Sequence, residues 1–150
     1  MLYLVDTPIL LRLANSQDVQ HMVAEAAVDR LSGKGASLYV APQNLIEFRN
    51  GGTRPTAVNG LGMAIEEAEA KAERYETIFT LLPETPEIYP AWKALVRAAG
   101  VTGKQVHDAR LVATCHVYGI THILTFNVRH FTRLAPFGPG VTIVDPTDLL

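Results

Sequence analysis

Short apolar segments alternate with longer segments of helical periodicity along the whole chain, and this alternation limits the possible folds more than any other feature. The segments that indicate strands are, in chain order, Leu2 to Val5, Ser37 to Ala41, Thr80 to Leu82, His122 to Phe126 and Val141 to Val144. Between most of them, apolar residues recur every three or four positions, which is typical of helices. We therefore expect an α/β fold: a three-layer α/β/α domain with a central, mainly parallel sheet of four or five strands.

Proline and glycine mark where the predicted helices begin and end. The first predicted helix starts at Pro8, the second runs from Asp18 to Leu31, and the third starts at Pro42 and stops at Gly51-Gly52. The next three run from Met63 to Phe79, from Thr85 to Ala99 and from Val106 to Tyr118, and a short last helix runs through Leu134. The turn-rich segment from Thr53 to Gly62 is predicted to be a long loop on the substrate side, because connections of this length are uncommon without a function.

The composition indicates one domain over residues 1–150, since 150 residues with 48% hydrophobic side chains suffice for a single core. The net charge of −2 gives no general attraction to nucleic acid or to anionic membrane. The single cysteine, Cys115, lies in an apolar run and cannot form an internal disulfide, and no segment approaches the length of a membrane span. We expect a cytoplasmic protein with no membrane association.

Four polar residues occupy positions where this scheme predicts strand ends and helices. Asp6 ends the first strand, Glu47 lies in the helix after the second, Asp108 opens the Val106 helix, and Asn127 ends the fourth strand. Each also has a purely structural interpretation. Asp6 could cap the N-terminus of a helix, and Asp108 is an acid favourably placed in the first turn of a helix. Glu47 could face solvent on an amphipathic helix, and Asn127 could be a turn residue.

Taken together, these residues resemble a known family. The chain has Val-Asp-Thr after the first strand, Asn-Leu-Ile-Glu-Phe in an early helix, His-Asp-Ala-Arg-Leu opening a late helix and Leu-Thr-Phe-Asn-Val-Arg-His-Phe after a strand. The order resembles the PIN-domain family, and more narrowly the VapC-like toxin ribonucleases of toxin-antitoxin modules. The Thr53 to Gly62 segment is similar to one that recurs in a branch of these proteins.

The resemblance implies an endoribonuclease that depends on Mg²⁺ or Mn²⁺, with Asp6, Glu47, Asp108 and Asn127 as its catalytic and metal-binding residues. Such a set suits a hard divalent cation, because two carboxylates about 5 Å apart repel by roughly 3 kcal/mol at an effective dielectric of about 20. A bound cation lowers the pKa of its water and neutralises charge on the phosphate. It also offsets the repulsion between acidic residues and RNA.

The chain departs from the family pattern at Asn127 and His130. Family members commonly have an acid at or near the position of Asn127, and where asparagine stands there, the residue three positions later is often aspartate. An amide ligates a cation without adding charge, so we predict one tightly held cation in the free protein. His130 is interpreted either as a surface histidine or as a phosphate contact or ligand that favours Mn²⁺.

Further residues are candidates for RNA contacts, because phosphate contacts position RNA without reading its sequence. The basic candidates are Arg49, Arg54, Lys104, Arg110, Arg129 and Arg133. Thr7 is a candidate for orienting a water molecule, or for capping its helix. Ordinary solvated charge is the alternative for each arginine and lysine.

Two other functions compete with the nuclease. A PIN-like fold with impaired catalysis would serve as an RNA-binding or protein-binding module. His107-Asp108 also matches the dyad of the HD phosphohydrolases, which are nearly all helical. If the toxin resemblance holds, it implies an antitoxin partner and a homodimer.

Overall fold

Five short strands form one parallel sheet in the computed structural model, which describes all residues from 1 to 150. The strands are β1 (Leu2–Val5), β2 (Ser37–Val40), β3 (Thr80–Leu81), β4 (His122–Leu124) and β5 (Thr142–Val144). They lie in the order β3-β2-β1-β4-β5, and each neighbouring pair is parallel. The predicted parallel sheet is confirmed, and it excludes the nearly all-helical HD class.

The strand order reverses direction at β1. The chain moves from β1 outward through β2 and β3, then returns to the other side of β1 with β4 and β5. In open parallel sheets the crevice outside the carboxyl ends of the strands at such a switch point is where ligands bind. The edge that follows β1 and β4 is therefore the first place to look for a functional site.

Seven helices cover the two faces of the sheet. On one face lie α1 (Thr7–Leu13), α2 (His21–Gly33), α3 (Pro42–Thr53) and α4 (Ile65–Ile78); on the other lie α5 (Ile88–Ala99), α6 (Gln105–Tyr118) and α7 (Val128–Thr132). Each layer has its own apolar core, with Phe48 and Phe79 in the first and Phe131 and Leu111 in the second. The three-layer α/β/α architecture is confirmed. None of the helices combines the length and the hydrophobicity that a membrane-spanning segment needs.

The prediction that Gly51 and Gly52 stop their helix is wrong, because α3 continues through both glycines to Thr53. Both are buried. A Cβ atom on Gly51 would lie 3.0 Å from the side chain of Leu11. These glycines allow α1 and the following chain to approach α3 closely, which a pattern based on local turn preference does not reveal.

Other helix starts lie two or three residues later than predicted. α2 begins at His21 and not at Asp18, because the Asp18 side chain accepts a hydrogen bond from the backbone N–H of Gln20 at 2.8 Å and closes a turn there. α4 begins at Ile65 and α5 at Ile88. These are boundary differences, and the elements themselves are those predicted.

The predicted long loop after α3 is an ordered structure that includes a short 3₁₀ helix, Thr56–Val58. Its end is tied to the last turns of α3, since the N–H of Leu61 donates to the carbonyl of Gly51 at 3.0 Å. Because α3 has 12 residues, about 18 Å of helix separate this loop from the strand edge where α3 begins. The loop is therefore distant from the edge that follows β1 and β4.

Candidate active site

Three carboxylate residues come to the same edge of the sheet from three different elements. Asp6 directly follows β1, Glu47 lies in the second turn of α3, and Asp108 lies in the first turn of α6. The helices α3 and α6 pack on opposite faces of the sheet, so these two acids approach Asp6 from opposite layers.

Asp6 is the most buried of the three, with 3% of its surface exposed. It is the N-cap residue of α1, as its structural interpretation predicts, and one carboxylate oxygen accepts the backbone N–H of Thr7 at 2.9 Å. The other oxygen accepts the hydroxyl of Thr125, just after β4, at 2.6 Å. The Asp6 carboxylate is thus fixed by its own helix cap after β1 and also by a hydrogen bond from the residue that follows β4.

Thr125 is a site residue that the sequence reasoning missed. It is fully buried, and its hydroxyl also accepts the backbone N–H of Asn127 at 2.9 Å. The feature of the sequence that could have identified it is that Thr125 is a hydroxyl residue inside the apolar segment that runs to Phe126. A buried polar group needs a hydrogen-bond partner, and here the partner is the Asp6 carboxylate.

Glu47 faces the site and not the solvent. Its two oxygens accept hydrogen bonds from the Thr7 hydroxyl at 2.9 Å and from the Gln43 amide at 2.7 Å. Its neighbour Ile46 points outward and is 66% exposed. The solvent-facing interpretation of Glu47 is therefore wrong, because the helix exposes an apolar residue and turns its acid inward.

Two polar residues at the start of α3 support this arrangement and were not singled out from the sequence. Asn44 is fully buried; its side-chain oxygen accepts the backbone N–H of Ala41 at 2.8 Å, and its amide nitrogen donates to the Thr7 hydroxyl at 3.3 Å. Gln43 is half-buried and donates to Glu47. The hydroxyl of Thr7, a candidate for orienting a water molecule or for capping its helix, accepts a hydrogen bond from Asn44 and donates one to Glu47.

Burial and nearby negative charge raise the pKa values of two acids at this edge, Asp6 and Asp108. Loss of solvent raises the pKa of Asp6 to about 7; the Thr125 and Thr7 hydrogen bonds oppose this rise, and the charges of Asp108 and Glu47 add to it. Burial likewise raises the pKa of Asp108 to about 6, with a further rise from Glu47 and an opposing effect from His130. Clustered acids with raised pKa values are typical of functional sites.

Asn127 and His130 lie on the exposed rim of this edge. Asn127 is the N-cap residue of α7, but its side chain makes no hydrogen bond within the chain. His130 is 58% exposed at its side chain, and its Nδ1 lies 3.7 Å from a carboxylate oxygen of Asp108. Both side chains are therefore accessible to a ligand at the rim.

The oxygen ligands that Asp6, Glu47, Asp108 and Asn127 offer are of the type that binds a hard divalent cation, although the side chains are not arranged around an ion. No three His, Cys, Asp or Glu side chains lie close enough together to form a metal site as they stand. The carboxylates of Asp6, Glu47 and Asp108 nevertheless interact electrostatically, and no basic side chain neutralises Asp6. Oxygen donors with unneutralised negative charge are the ligands that Mg²⁺ and Mn²⁺ prefer.

Most of the candidate arginines have partners inside the protein. Arg49 pairs with Glu69, Arg110 with Glu84, and Arg133 donates to the carbonyls of Ala99 and Gly100, while Arg54 donates to the carbonyl of Asn59 in its own loop. In contrast, the side chains of Arg129 and Lys104 are exposed and make no hydrogen bond or ion pair. Of the two, Arg129 lies in α7 beside Asn127 and His130.

Comparisons with known proteins identify the family and the fold of the chain. A family model described as "PIN domain" matches residues 3–135. No curated protein matches the chain by sequence.

Several solved structures share the fold over nearly the whole chain. VapBC2 from Rickettsia felis, bound to a DNA fragment from its promoter, matches with a TM-score of 0.71 and 14% identity over 97% of this chain and 98% of that chain. DNA-bound VapBC from Salmonella typhimurium matches with a TM-score of 0.68 and 17% identity over 97% and 99%. VapC20 from Mycobacterium tuberculosis, described as a sarcin-ricin loop cleaving toxin, matches with a TM-score of 0.61 and 22% identity over 87% and 93%.

Proposed function

Because the chain belongs to the PIN-domain family, we propose that it is an endoribonuclease that depends on a divalent metal ion, Mg²⁺ or Mn²⁺, and that it is the toxin of a toxin-antitoxin pair. The observation that carries the proposal is the convergence of Asp6, Glu47 and Asp108 at the β1/β4 edge. PIN-domain nucleases generally use divalent metals. The raised pKa values of Asp6 and Asp108 support an acidic site that requires a cation to be fully ionised.

In this proposal Asp6, Glu47 and Asp108 hold the cation, with the Asn127 amide as a neutral fourth ligand. When bound, the cation supplies an activated water and charge neutralisation at the phosphate. Thr125 and Thr7 keep the Asp6 carboxylate in place, and Thr7 also holds Glu47. With three acids and one amide, we expect one tightly held ion in the absence of RNA.

The chain's own residues also supply contacts for the RNA backbone. Arg129 is the favoured phosphate contact, because its side chain is exposed, lies in α7 and has no internal partner. His130 is a second candidate on the same helix. Arg49, Arg54 and Arg110 are weaker candidates, since each would have to leave an existing partner.

The experiment that tests the proposal is cleavage of a mixed pool of single-stranded and hairpin RNAs with Mn²⁺, Mg²⁺ or EDTA. Asp6→Asn and Asp108→Asn variants are compared with Asp29→Asn, which changes an exposed acid of α2. We expect cleavage that requires metal, disappears in the first two variants and persists in the third. Equal cleavage by all preparations would identify a contaminating nuclease and refute the proposal.

Two observations favour a second candidate function. The acids are not arranged around an ion as they stand, and Asn127 and His130 replace acids that are common in the family. A catalytically impaired PIN-like module that binds RNA or protein accounts for both facts. Binding of RNA without cleavage in any metal would favour this alternative.

The toxin assignment also implies partners. The similar structures include VapBC proteins, and in two of them the protein is bound to DNA. This supports a cognate antitoxin for the present chain, and we further propose a cytoplasmic homodimer in which residues 1–150 form one domain. Co-purification from the native host tests the antitoxin, and light scattering of the pure protein tests the dimer.

A further inference from the structure

The helices that carry Glu47 and Asp108 are joined by hydrogen bonds through a single side chain. α3 and α6 belong to opposite layers of the domain, so their separation at the site is not set by a shared apolar core. The two hydrogen bonds that connect α3 to α6 both use the side-chain amide of Gln43, in the first turn of α3.

The Gln43 amide uses its nitrogen and its oxygen for different partners. Its nitrogen donates to the Glu47 carboxylate at 2.7 Å and to the backbone carbonyl of His107 at 2.9 Å. Its oxygen accepts a hydrogen bond from the Arg110 guanidinium at 3.3 Å. His107 and Arg110 lie on either side of Asp108 in α6, so the amide spans from one acid to the turn that carries the other.

Few side chains other than glutamine can make this set of contacts. A primary amide carries two N–H donors and a carbonyl acceptor in one plane, whereas a carboxylate carries acceptors only. Glutamate at this position would therefore repel Glu47 and lose the bond to the His107 carbonyl. Asparagine would be one methylene too short to keep the same reach from α3.

We infer that Gln43 is a positioning residue, which orients the Glu47 carboxylate and sets its separation from Asp108 by tying the first turn of α3 to the first turn of α6. The inference rests on the proposed function, because the orientation matters for a cation held between these acids. Outer hydrogen-bond partners of metal ligands typically contribute 10- to 100-fold to metal affinity.

The test is the affinity of the metal-free protein for Mn²⁺, measured by calorimetric titration. Gln43→Met keeps the length and helix propensity of the side chain but removes the amide. Gln17→Met is the matched control, since Gln17 is exposed and its side chain makes no hydrogen bond. We expect Gln43→Met to weaken Mn²⁺ binding by about 10-fold or more, with Gln17→Met unchanged and the metal-free Tm of both near that of the parent.

A double-mutant cycle separates positioning from general stability. If Gln43 acts through Glu47, Gln43→Met causes no further loss of Mn²⁺ affinity in a Glu47→Gln background. Full additivity of the two losses would overturn the inference, as would unchanged affinity in the single variant. Gln43→Ala repeats the measurement if the methionine variant folds poorly.

The outcomes also separate this inference from the proposed function. Tight Mn²⁺ binding that is indifferent to Gln43 refutes the positioning role and leaves the metal-dependent nuclease intact. Failure of the parent protein and of Gln17→Met to bind Mn²⁺ refutes the metal site itself, and the inference with it.

Discussion

The hydroxyl of Thr125 donates a 2.6 Å hydrogen bond to the carboxylate of Asp6, and the two residues are 119 positions apart in the chain. Asp6 follows β1 and Thr125 follows β4, so the bond crosses the point where the strand order reverses. The same hydroxyl accepts the N–H of Asn127. One buried side chain thus fixes the central acid of the site and the turn that presents the rim residues.

Removal of this hydroxyl should impair both stability and the site. We predict that Thr125→Val lowers the free energy of unfolding by roughly 1 to 3 kcal/mol, because the buried Asp6 carboxylate loses a hydrogen-bond donor. RNA cleavage should fall, and Thr125→Ser should restore most of it. Denaturant unfolding and cleavage assays check this, with Thr77→Val as a control, since Thr77 is exposed and bonds only to a backbone carbonyl of its own helix. Wild-type stability in Thr125→Val would contradict the prediction.

The raised pKa of Asp6 predicts a specific pH dependence of stability in EDTA. A free aspartate titrates near pH 4, whereas folded Asp6 titrates at about 7. Between these values the folded protein holds a proton that the unfolded chain has released, so this group's contribution to the free energy of unfolding decreases as pH rises and is constant above about 7. At about 1.4 kcal/mol per pH unit, the loss is at most about 4 kcal/mol.

Asp6→Asn isolates this effect, because asparagine is uncharged at every pH. We expect the Tm of Asp6→Asn in EDTA to exceed that of the parent by more at pH 8 than at pH 5, and Mn²⁺ to stabilise the parent only. Differential scanning calorimetry of both proteins, with Asp29→Asn as the exposed control, measures the difference. If the gap between Asp6→Asn and the parent does not change with pH, Asp6 is ionised in the folded protein at both values.

Arg129 should contribute to RNA binding through charge alone. In an Asp108→Asn background that does not cleave, we predict that Arg129→Ala weakens binding of all RNAs about equally and lowers the slope of log affinity against log salt by about 1. Arg30→Ala, which removes an exposed charge from α2, is the control. Fluorescence anisotropy at several salt concentrations measures the RNA affinity of each variant. An unchanged slope in Arg129→Ala would show that Arg129 does not contact the RNA.

Tyr75 connects two helices of the first layer. Its buried hydroxyl donates to the carbonyl of Leu10 at 2.6 Å. That carbonyl also accepts the N–H of Ala14, so it stays paired when the hydroxyl is lost. We therefore expect Tyr75→Phe to cost only about 0.5 to 1.5 kcal/mol in unfolding experiments, against no measurable change for Tyr89→Phe at an exposed site.

The ordered segment after α3 depends on Gly60. A Cβ atom there would lie 1.9 Å from the carbonyl oxygen of Arg54, so Gly60→Ala forces the backbone to move. We predict a loss of more than about 1 kcal/mol in the free energy of unfolding. Gly33→Ala, where a Cβ meets nothing within 4 Å, should leave stability unchanged or increased. Thermal unfolding of the two variants side by side gives the comparison, and equal Tm values would show that the loop rearranges freely.

The candidate site was partly predictable from local patterns. Asp6 and Asp108 were predicted at a strand end and in a first helical turn, and both lie there. These positions follow from hydrophobic periodicity and capping, which involve residues a few places apart. The orientation of Glu47 was not predictable in this way, because helical periodicity would place Ile46 inside and the acid outside, and the structure has the reverse.

By itself the sequence determined the parallel α/β layering and the placement of Asp6, Asp108 and Asn127 at the ends of strands and the starts of helices. Only the tertiary structure decided which partners these residues meet. The bond from Thr125 to Asp6 and the Gln43 bridge between α3 and α6 join positions far apart in the chain. They depend on how two layers dock on one sheet, and that docking is fixed by side-chain packing over the whole domain, beyond the reach of any local pattern.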